Sequence, residues 1–295
     1  MATITAQTNP QLFPVYYERK LLSYVKENLL VLKFGQKFTL PRNSGRQAVF
    51  TRFSPLPKAT TPITDSPTPA SGASMATQQI TVALQEYGNY IDLDEFTDMT
   101  SFVPLVDQAV DLLSYNAQQS LDTVGMQEIT TGVNVLYAGG VADRSGLDGT
   151  KKITKSDIRK AVSILQRNNI PTFADGYYVC WIHPDKVLDL FTDQELIQLS
   201  IAKPQAIEKG YIGEFAGVKF YISTTLPIVD NNGINIYQTV VFGQNAYGVV
   251  DLDGNTMQFV QTNLDKLGRV KTIGWKAYFA AKRLYEPAIV RIESN

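Results

Sequence analysis

The chain has 295 residues, with 27 basic and 28 acidic side chains and an apolar fraction of 44 %. This length and composition are typical of one large globular domain, or two modest ones, with a sizeable core. The balanced charge argues against a dedicated nucleic-acid binder, which usually carries a basic excess or basic clusters. The single cysteine, Cys180, excludes an intrachain disulfide and fits a reducing compartment.

The N-terminal region indicates an arm rather than a targeting segment. Its first residues have no charged segment followed by an apolar run, so we expect no signal peptide. No apolar run approaches the ~18 residues that a membrane-spanning helix needs, so we expect a soluble chain made in a cytosol. Residues 1–15 are polar and become ordered only if they dock on something. Apolar residues then recur at helical spacing from Tyr16 to Leu32, which predicts a short helix.

Two predicted strands flank a segment of unusual composition. The stretch GRQAVFTRF predicts a strand that ends before Pro55, and the stretch TQQITVALQEYGNYIDL predicts a second strand. The apolar positions of the second strand change phase beyond Gly88, which predicts a bulge near that glycine. We expect the two strands to pair, although the loop between them is far longer than a tight hairpin turn.

The loop, KATTPITDSPTPASGAS from Lys58 to Ser74, has three prolines, no aromatic ring and only two charges. Ordering its seventeen residues costs on the order of 20 kcal/mol of backbone entropy, although the prolines reduce that cost. Within its own fold the loop has almost no apolar area to offset the remainder. It therefore stays disordered or lies extended on another molecule, and the strands that carry it outward favour the second outcome.

A long helix is predicted over residues 102–131, which at ~1.5 Å per residue spans roughly 40 Å. The sequence places one apolar stripe along it, formed by Leu105, Ala109, Leu112, Leu113, Ala117, Leu121 and Val124.

A Gly-rich loop, YAGGVADRSGLDGTKK, follows this helix, and helices then alternate with strands. Thr154 with Asp157 has the spacing of a capping box that opens a helix, and Pro184 opens another. The stretch YYVCWI predicts a short buried strand between them. The stretches FAGVKFYIST, TVVFGQNAYGVVDL and IGWKAYFAAKRLYEPAIVRIES predict the remaining strands.

Candidate catalytic residues are few. His183 is the only histidine, so a cysteine–histidine pair would have to join Cys180 and His183. Their spacing on or beside a strand sends the two side chains to opposite faces, so a buried inert thiol and a helix-entry histidine are the favoured interpretations. No phosphate-binding or dinucleotide-binding glycine pattern is present.

The stretch DLDEFTD clusters four carboxylates, Asp92, Asp94, Glu95 and Asp98. Such a cluster binds a hard cation or supplies an acid and a base in some proteins. The spacing of a calcium loop is missing, so a solvated strand end or an intersubunit salt bridge is favoured. We therefore assign no catalytic residue, no cofactor and no metal, although sites assembled from distant loops leave no local pattern.

The order of these segments resembles that of the major capsid proteins of tailed bacteriophages, whose fold is named after the phage Hong Kong 97. The resemblance covers most of the chain and rests on the ordered sum of several stretches. These are LLVLKFGQKFTLPRNSGRQAVFTRFSPLPKATTPIT, ALQEYGNYIDLDEF, GVNVLYAGG, DIRKAVSILQRNNIP, GYYVCWIHPDKVLDL, FAGVKFYIST, VVFGQNAYGVVDL and GWKAYFAAKRL.

The resemblance implies an α+β fold of the Hong Kong 97 type with five regions. They are an N-terminal arm (1–40), an extended β-hairpin loop or E-loop (41–90), a peripheral domain with its sheet and a long spine helix (91–150), an α/β axial domain (151–254), and C-terminal strands that return to the peripheral domain (255–295). The E-loop would extend over a neighbouring subunit. Its candidate inter-subunit contacts are Phe53, Pro62, Ile63, Pro67, Pro69 and Ile80.

The resemblance also implies the partners. Copies of the chain would form pentamers and hexamers and close an icosahedral shell around double-stranded DNA, without sequence-specific DNA binding and without a membrane. Separate scaffolding, portal and decoration proteins would take part, with assembly in the bacterial host cytoplasm and the virion as the final location. A cellular nanocompartment of the same fold, and a soluble α/β enzyme with 151–254 as its catalytic domain, remain as alternatives.

Overall fold

Two β-sheets, a separate two-stranded hairpin and one long helix dominate the fold. A computed structural model describes residues 29–60, 72, 74–191, 211–231, 233–253, 257–265 and 267–295. The helices are α1 Leu30–Phe34, α2 Glu95–Thr100, α3 Leu105–Thr130, α4 Lys155–Arg167 and α5 Pro184–Phe191. The strands are β1 Gln36–Leu40, β2 Gln47–Phe53, β3 Thr77–Ala83, β4 Gln85–Asp94, β5 Val135–Tyr137, β6 Tyr178–Ile182, β7 Tyr211–Phe215, β8 Val218–Ile222, β9 Ile228–Asn231, β10 Ile234–Phe242, β11 Tyr247–Leu252, β12 Met257–Asn263, β13 Val270–Arg283 and β14 Ile289–Ser294. Within the described ranges, every helix is too short or too polar to cross a membrane.

The five-stranded sheet is built around β13. Strand β4 pairs antiparallel with one edge of β13, and β12 and then β11 pair antiparallel with its other edge. Strand β1 adds to β11 in parallel. Because β13 has 14 residues and a strand rises ~3.3 Å per residue, it runs roughly 45 Å from one end of this sheet to the other.

Helix α3, the predicted long helix, packs along one face of β13. Side chains alternate across a strand, so one face of β13 presents a buried series against the helix: Ile273, Trp275, Ala277 and Phe279. The predicted stripe is confirmed at Ala109, Leu113, Ala117 and Leu121, which are all buried. It is wrong at Leu112, which is 63 % exposed because it lies about 100° around the helix from Leu113 and points away from the sheet.

The seven-stranded sheet has the order β5-β14-β10-β6-β8-β7, with β9 paired to β10 beyond the end of β6. All five residues of β6 are buried, as the predicted core strand requires. Helix α4 begins with the predicted capping box, in which Thr154 and Asp157 each bond the other's backbone. Its buried residues are dominated by one apolar face: Ile158, Ala161, Val162 and Leu165.

The alternation of apolar positions changes phase near Gly88, but not because of the predicted bulge. The pairing of β4 with β13 runs without a register shift through Gly88, which lies opposite Lys276. The break falls at Leu84, whose backbone N–H donates to the Arg46 carbonyl at 2.9 Å, so that β3 ends in the hairpin and β4 begins in the sheet. A Cβ on Gly88 would lie 2.7 Å from the Trp275 carbonyl oxygen, so glycine lets the two strands approach closely.

Two arginines cap the C-terminal end of α3. Arg283 Nη1 donates to the Ile129 carbonyl at 2.7 Å, and Arg291 Nη1 donates to the Thr130 carbonyl. Positive charge is favourable at the C-terminus of a helix, where carbonyl groups lack intrahelical partners. Glu286 pairs with Arg283 at 2.8 Å, so the anchor ties the helix to the end of β13. Because Arg291 lies on β14, the same anchor also joins the two sheets.

A buried carboxylate holds α1 against α3. Asp122 on α3 is 3 % exposed and accepts the backbone N–H groups of Leu30 and Val31 at 3.5 Å and 3.2 Å. The Tyr247 hydroxyl donates to the Val31 carbonyl at 2.8 Å. Burial raises the pKa of Asp122 to about 7, although the two backbone N–H groups oppose that shift. Residues 16–28 of the helix predicted from Tyr16 to Leu32 lie outside the described residues. In the part that is described, α1 begins at Leu30.

The raised pKa of Asp122 predicts a pH-dependent stability. The folded-state pKa of Asp122 lies above the unfolded value of 3.8. Its contribution to the free energy of unfolding therefore falls as pH rises from about 4 to about 7 and is constant above that. Asp122→Asn keeps an oxygen acceptor and removes the charge. We expect it to stabilise the free subunit by up to about 4 kcal/mol at pH 8 and by little at pH 4.

Urea unfolding of both proteins at the two pH values checks this expectation. Asp111→Asn, at an exposed position of the same helix, is the comparison variant for the loss of one carboxylate. A stability difference between Asp122→Asn and the wild type that is the same at pH 4 and pH 8 would contradict the prediction.

The arginine cap predicts a large loss of stability in Arg283→Met. The substitution keeps apolar volume but leaves the Ile129 carbonyl and Glu286 without their cation, so we expect a cost of about 3 kcal/mol. Arg42→Met removes the exposed pair with Asp253 and should cost below about 1 kcal/mol. Urea unfolding followed by tryptophan fluorescence measures both, and equal costs for the two variants would show that the cap is unimportant.

Candidate inter-subunit surface

The inner face of the β2–β3 hairpin is seated on the five-stranded sheet, on the side opposite α3. Its buried apolar side chains pack with others from β1, β11 and the end of β13; the cluster consists of Leu40, Ala48, Phe50, Val82, Leu84, Val250, Ala280 and Leu284. The Phe50 ring occupies the space over Gly248, where a Cβ would lie 2.7 Å from it. The root of the hairpin is thus fixed to its own subunit.

A groove of about 320 Å³ lies between the hairpin and the segment that follows β13. The Arg52 guanidinium stacks on the Tyr285 ring, 3.1 Å from its centroid. Ile80, half-buried, lines the same groove beside Leu284. These contacts hold the hairpin against the rest of the subunit. The last hydrogen bond between its two strands runs from the Ser54 N–H to the Ala76 carbonyl, at 2.9 Å.

Among the described residues, the outer face of the hairpin presents apolar side chains that are about half exposed. Val49 is 45 % exposed and Phe53 is 56 % exposed. Beyond the last strand pair, Leu56 and Met75 are 58 % and 69 % exposed. Residues 54–60 carry no regular secondary structure and are all exposed. We call Val49, Phe53, Leu56 and Met75 the hairpin surface.

The sequence-derived contact residues are distributed over both faces and the loop. Phe53 lies on the hairpin surface. Ile80 lies on the inner face, directly opposite Phe50 in the strand register, and contacts its own subunit. The other four, Pro62, Ile63, Pro67 and Pro69, lie outside the described residues. Val49 is not in the sequence-derived set, although strict alternation with Ala48 and Phe50 places its side chain on the outer face with Phe53.

The cysteine and the histidine do not form a nucleophilic pair. Cys180 is fully buried in β6, and burial raises the pKa of its thiol far above the usual range, which keeps it protonated. His183 Nδ1 accepts the Asp185 backbone N–H at 3.3 Å, and its ring lies 4.9 Å from the ring of Tyr237. Burial lowers the pKa of His183, although Asp185 opposes that shift. Both residues have structural partners.

The carboxylates of the DLDEFTD stretch are likewise used within the fold. Asp92 accepts from the Thr272 hydroxyl at 2.6 Å, and Asp94 caps α2 by accepting the Thr97 backbone N–H at 3.1 Å. Asp98 accepts the Leu105 backbone N–H at 3.3 Å, at the start of α3. Among the described residues, no three His, Cys, Asp or Glu side chains are grouped to hold a metal ion.

The fold matches known capsid structures at low sequence identity. The capsid of Ralstonia phage GP4 superposes with a TM-score of 0.74 at 12 % identity, covering 88 % of this chain and 86 % of that one. The head of Helicobacter pylori bacteriophage KHP40 gives a TM-score of 0.66 at 13 % identity, covering 92 % and 91 %. The capsid of cyanophage Pam1 gives 0.65 at 13 % identity, covering 89 % and 88 %. No curated protein matches the sequence.

The sequence itself matches a family model over residues 77–292, and that family is described as phage capsid protein. The match spans well over half of the chain, from the second strand of the hairpin to the last strand of the seven-stranded sheet. The chain therefore belongs to the phage capsid protein family: it is a major capsid protein with the Hong Kong 97 type fold, and copies of it form the shell.

Proposed function

We propose that the hairpin surface and the loop beyond it join neighbouring subunits of an icosahedral shell that encloses double-stranded DNA. The observation that carries this proposal is the contrast between the two faces of one hairpin. The inner face packs on its own sheet through Phe50, whereas the outer face leaves Val49 and Phe53 exposed. Apolar side chains on a rigid, preformed surface favour contact with a partner at little cost in ordering.

The loop has the length to reach a neighbour. Twenty-one residues, 55–75, connect the last hydrogen-bonded pair of the hairpin. An extended chain covers about 3.3 Å per residue, so an out-and-back excursion extends at most roughly 35 Å. That distance exceeds the thickness of a packed domain layer. Because the loop is poor in apolar area, its contacts are individually weak and act through their number around a closed shell.

The remaining roles in the proposal rest on the balanced charge and on the capsid protein family to which the chain belongs. A shell of subunits with 27 basic and 28 acidic side chains each would enclose DNA without binding a particular sequence. The shell would be built in the host cytoplasm from pentamers and hexamers, with scaffolding, portal and decoration proteins as further partners. The five regions 1–40, 41–90, 91–150, 151–254 and 255–295 would serve as arm, E-loop, peripheral domain, axial domain and returning strands. We propose no catalytic role for the chain.

Deleting Thr60–Ser74 tests the role of the loop. The segment lies beyond the last hairpin pair, so we expect the subunit to fold with unchanged urea midpoint but to form no closed shells. Light scattering and electron microscopy measure assembly, and a loop of the same length made of glycine and serine is the control for simple shortening. We expect that control to fail as well. Normal shells from the deletion variant would refute the proposal.

The two faces of the hairpin predict opposite effects of two phenylalanine substitutions. Phe50→Ala removes a buried ring and should cost the free subunit about 3–4 kcal/mol. Phe53→Thr changes an exposed residue and should alter the unfolding free energy by below about 0.5 kcal/mol, while reducing the yield of shells. Urea unfolding and light scattering separate the two effects. Assembly of Phe53→Thr at the wild-type level would count against the hairpin surface.

A further inference from the structure

The balanced charge of the whole chain hides one strongly basic segment. Residues 151–167 contain six lysine or arginine side chains and one aspartate, which is a local excess of five positive charges in a chain whose net charge is −1. The segment consists of helix α4 and the residues that lead into it. A cluster of basic side chains on one element is typical of a surface that attracts a polyanion.

Helix α4 places its apolar and its basic side chains on opposite sides. Its apolar side is buried in the core of the subunit. Its other side is exposed from the first turn to the last, at Ser156, Arg159, Lys160, Ser163, Gln166 and Arg167. These positions recur every three or four residues, so their side chains share one side of the helix. We call these six residues the α4 face.

The carboxylates beside the α4 face are already used within the fold. Asp157 is buried in the capping box and accepts a hydrogen bond from Lys160 Nζ at 3.2 Å. Asp189 of α5 lies between two lysines, 2.8 Å from Lys152 Nζ and 3.0 Å from Lys186 Nζ. Cations therefore outnumber these carboxylates, and the surface around the start of α4 keeps a positive charge.

The three cations of the α4 face remain accessible to a partner. The Arg159 guanidinium lies over the Phe215 ring, 5.3 Å from its centroid, and the Lys160 side chain is 53 % exposed despite its pair with Asp157. Arg167 stands in the last turn of the helix. From Arg159 to Arg167 the face spans about 12 Å, a length over which a DNA duplex carries about seven phosphate charges. All three cations can therefore contact phosphates of one duplex.

The polar character of the α4 face favours a nucleic acid over a protein or a membrane. Helix α4, which the structure describes in full, exposes no large apolar side chain, in contrast to the hairpin surface. A protein interface has a core enriched in aromatic and apolar side chains, and a helix that lies on a membrane needs an apolar face. Arginine, lysine, serine and glutamine are side chains that donate to phosphate oxygens. The occupant that fits is the phosphate backbone of DNA.

We propose that the α4 face lines the inside of the shell and contacts the phosphate backbone of the enclosed double-stranded DNA. The proposal rests on the shell-forming function proposed above, and it adds an orientation, in which the α4 side of the seven-stranded sheet faces the DNA. The contact is electrostatic and independent of base sequence. Three cations bind weakly in one subunit, and the contact gains strength through its repetition over the shell.

The test measures binding of a short mixed-sequence DNA duplex to the free subunit by fluorescence anisotropy, at salt concentrations from about 50 to 200 mM. The test variant is Arg159→Gln/Lys160→Gln/Arg167→Gln. The matched control, Lys37→Gln/Arg42→Gln/Arg269→Gln, removes three exposed cations from the region of the five-stranded sheet and so has the same net charge. Glutamine is a good helix former, so we expect the test variant to keep a urea midpoint close to that of the wild type.

We expect the wild type to bind with an affinity that falls steeply with salt. Each phosphate contact contributes about 0.9 to the slope of log K against log salt, so the test variant should lose about 2–3 from that slope and bind at least tenfold more weakly at about 100 mM salt. The control should stay close to the wild type. Arg159→Lys/Arg167→Lys keeps every charge and should keep the slope, which separates lost charge from altered folding.

A second measurement tests the orientation of the α4 face. Formaldehyde joins lysine amines to DNA bases that lie next to them. Cross-linking of DNA-filled particles, followed by mass spectrometry of the peptides attached to DNA, should therefore identify Lys160. Particles in which Lys160 carries no DNA adduct would overturn the inward orientation.

The remaining outcomes separate this inference from the proposed function. An unchanged salt slope in the test variant, an equal loss in the control, or a wild type that binds no duplex at about 50 mM salt would overturn the contact. Binding to vesicles of anionic lipid without binding to the duplex would overturn it as well. Failure of the wild type to form closed particles would contradict the proposed function instead, because duplex binding by the free subunit does not depend on assembly.

Discussion

Helix α3 packs along β13, and this contact positions the other parts of the fold. One face of this strand carries the helix through Trp275 and Phe279, and the other face carries the hairpin at Ala280. The arginine cap at Ile129 and Thr130 then joins the end of the helix to β13 and β14, and so to both sheets.

This framework sets the direction of the hairpin surface, which we propose as a contact with neighbouring copies. Phe50 is buried within its own subunit, and this packing fixes the direction in which the outer face points. Phe53, three residues later, remains available for a partner. Since the orientation of the surface is set before contact, association loses little conformational entropy. Modest contacts of this type become strong only when they are repeated around a closed structure.

Local patterns made part of this fold predictable from sequence. The capping box at Thr154, the all-buried strand β6 and the long helix follow from spacing that involves only near neighbours. Leu112 was placed wrongly because periodicity gives a stripe about 100° wide and not the exact side that meets a sheet. Asp122 and Arg283 have no local signal, since each binds backbone groups more than ninety residues away. The sequence-derived contact set names Phe53 but not Val49, although the alternation along β2 places both side chains on the same face.

We propose that the hairpin surface and residues 55–75 rest on a neighbouring copy. A high-resolution reconstruction of the assembled particle would show this contact. We expect Val49 and Phe53 to be buried against an adjacent subunit, with the loop extended across that subunit's surface. A particle in which those side chains face solvent, or in which the loop folds back on its own sheet, would contradict it.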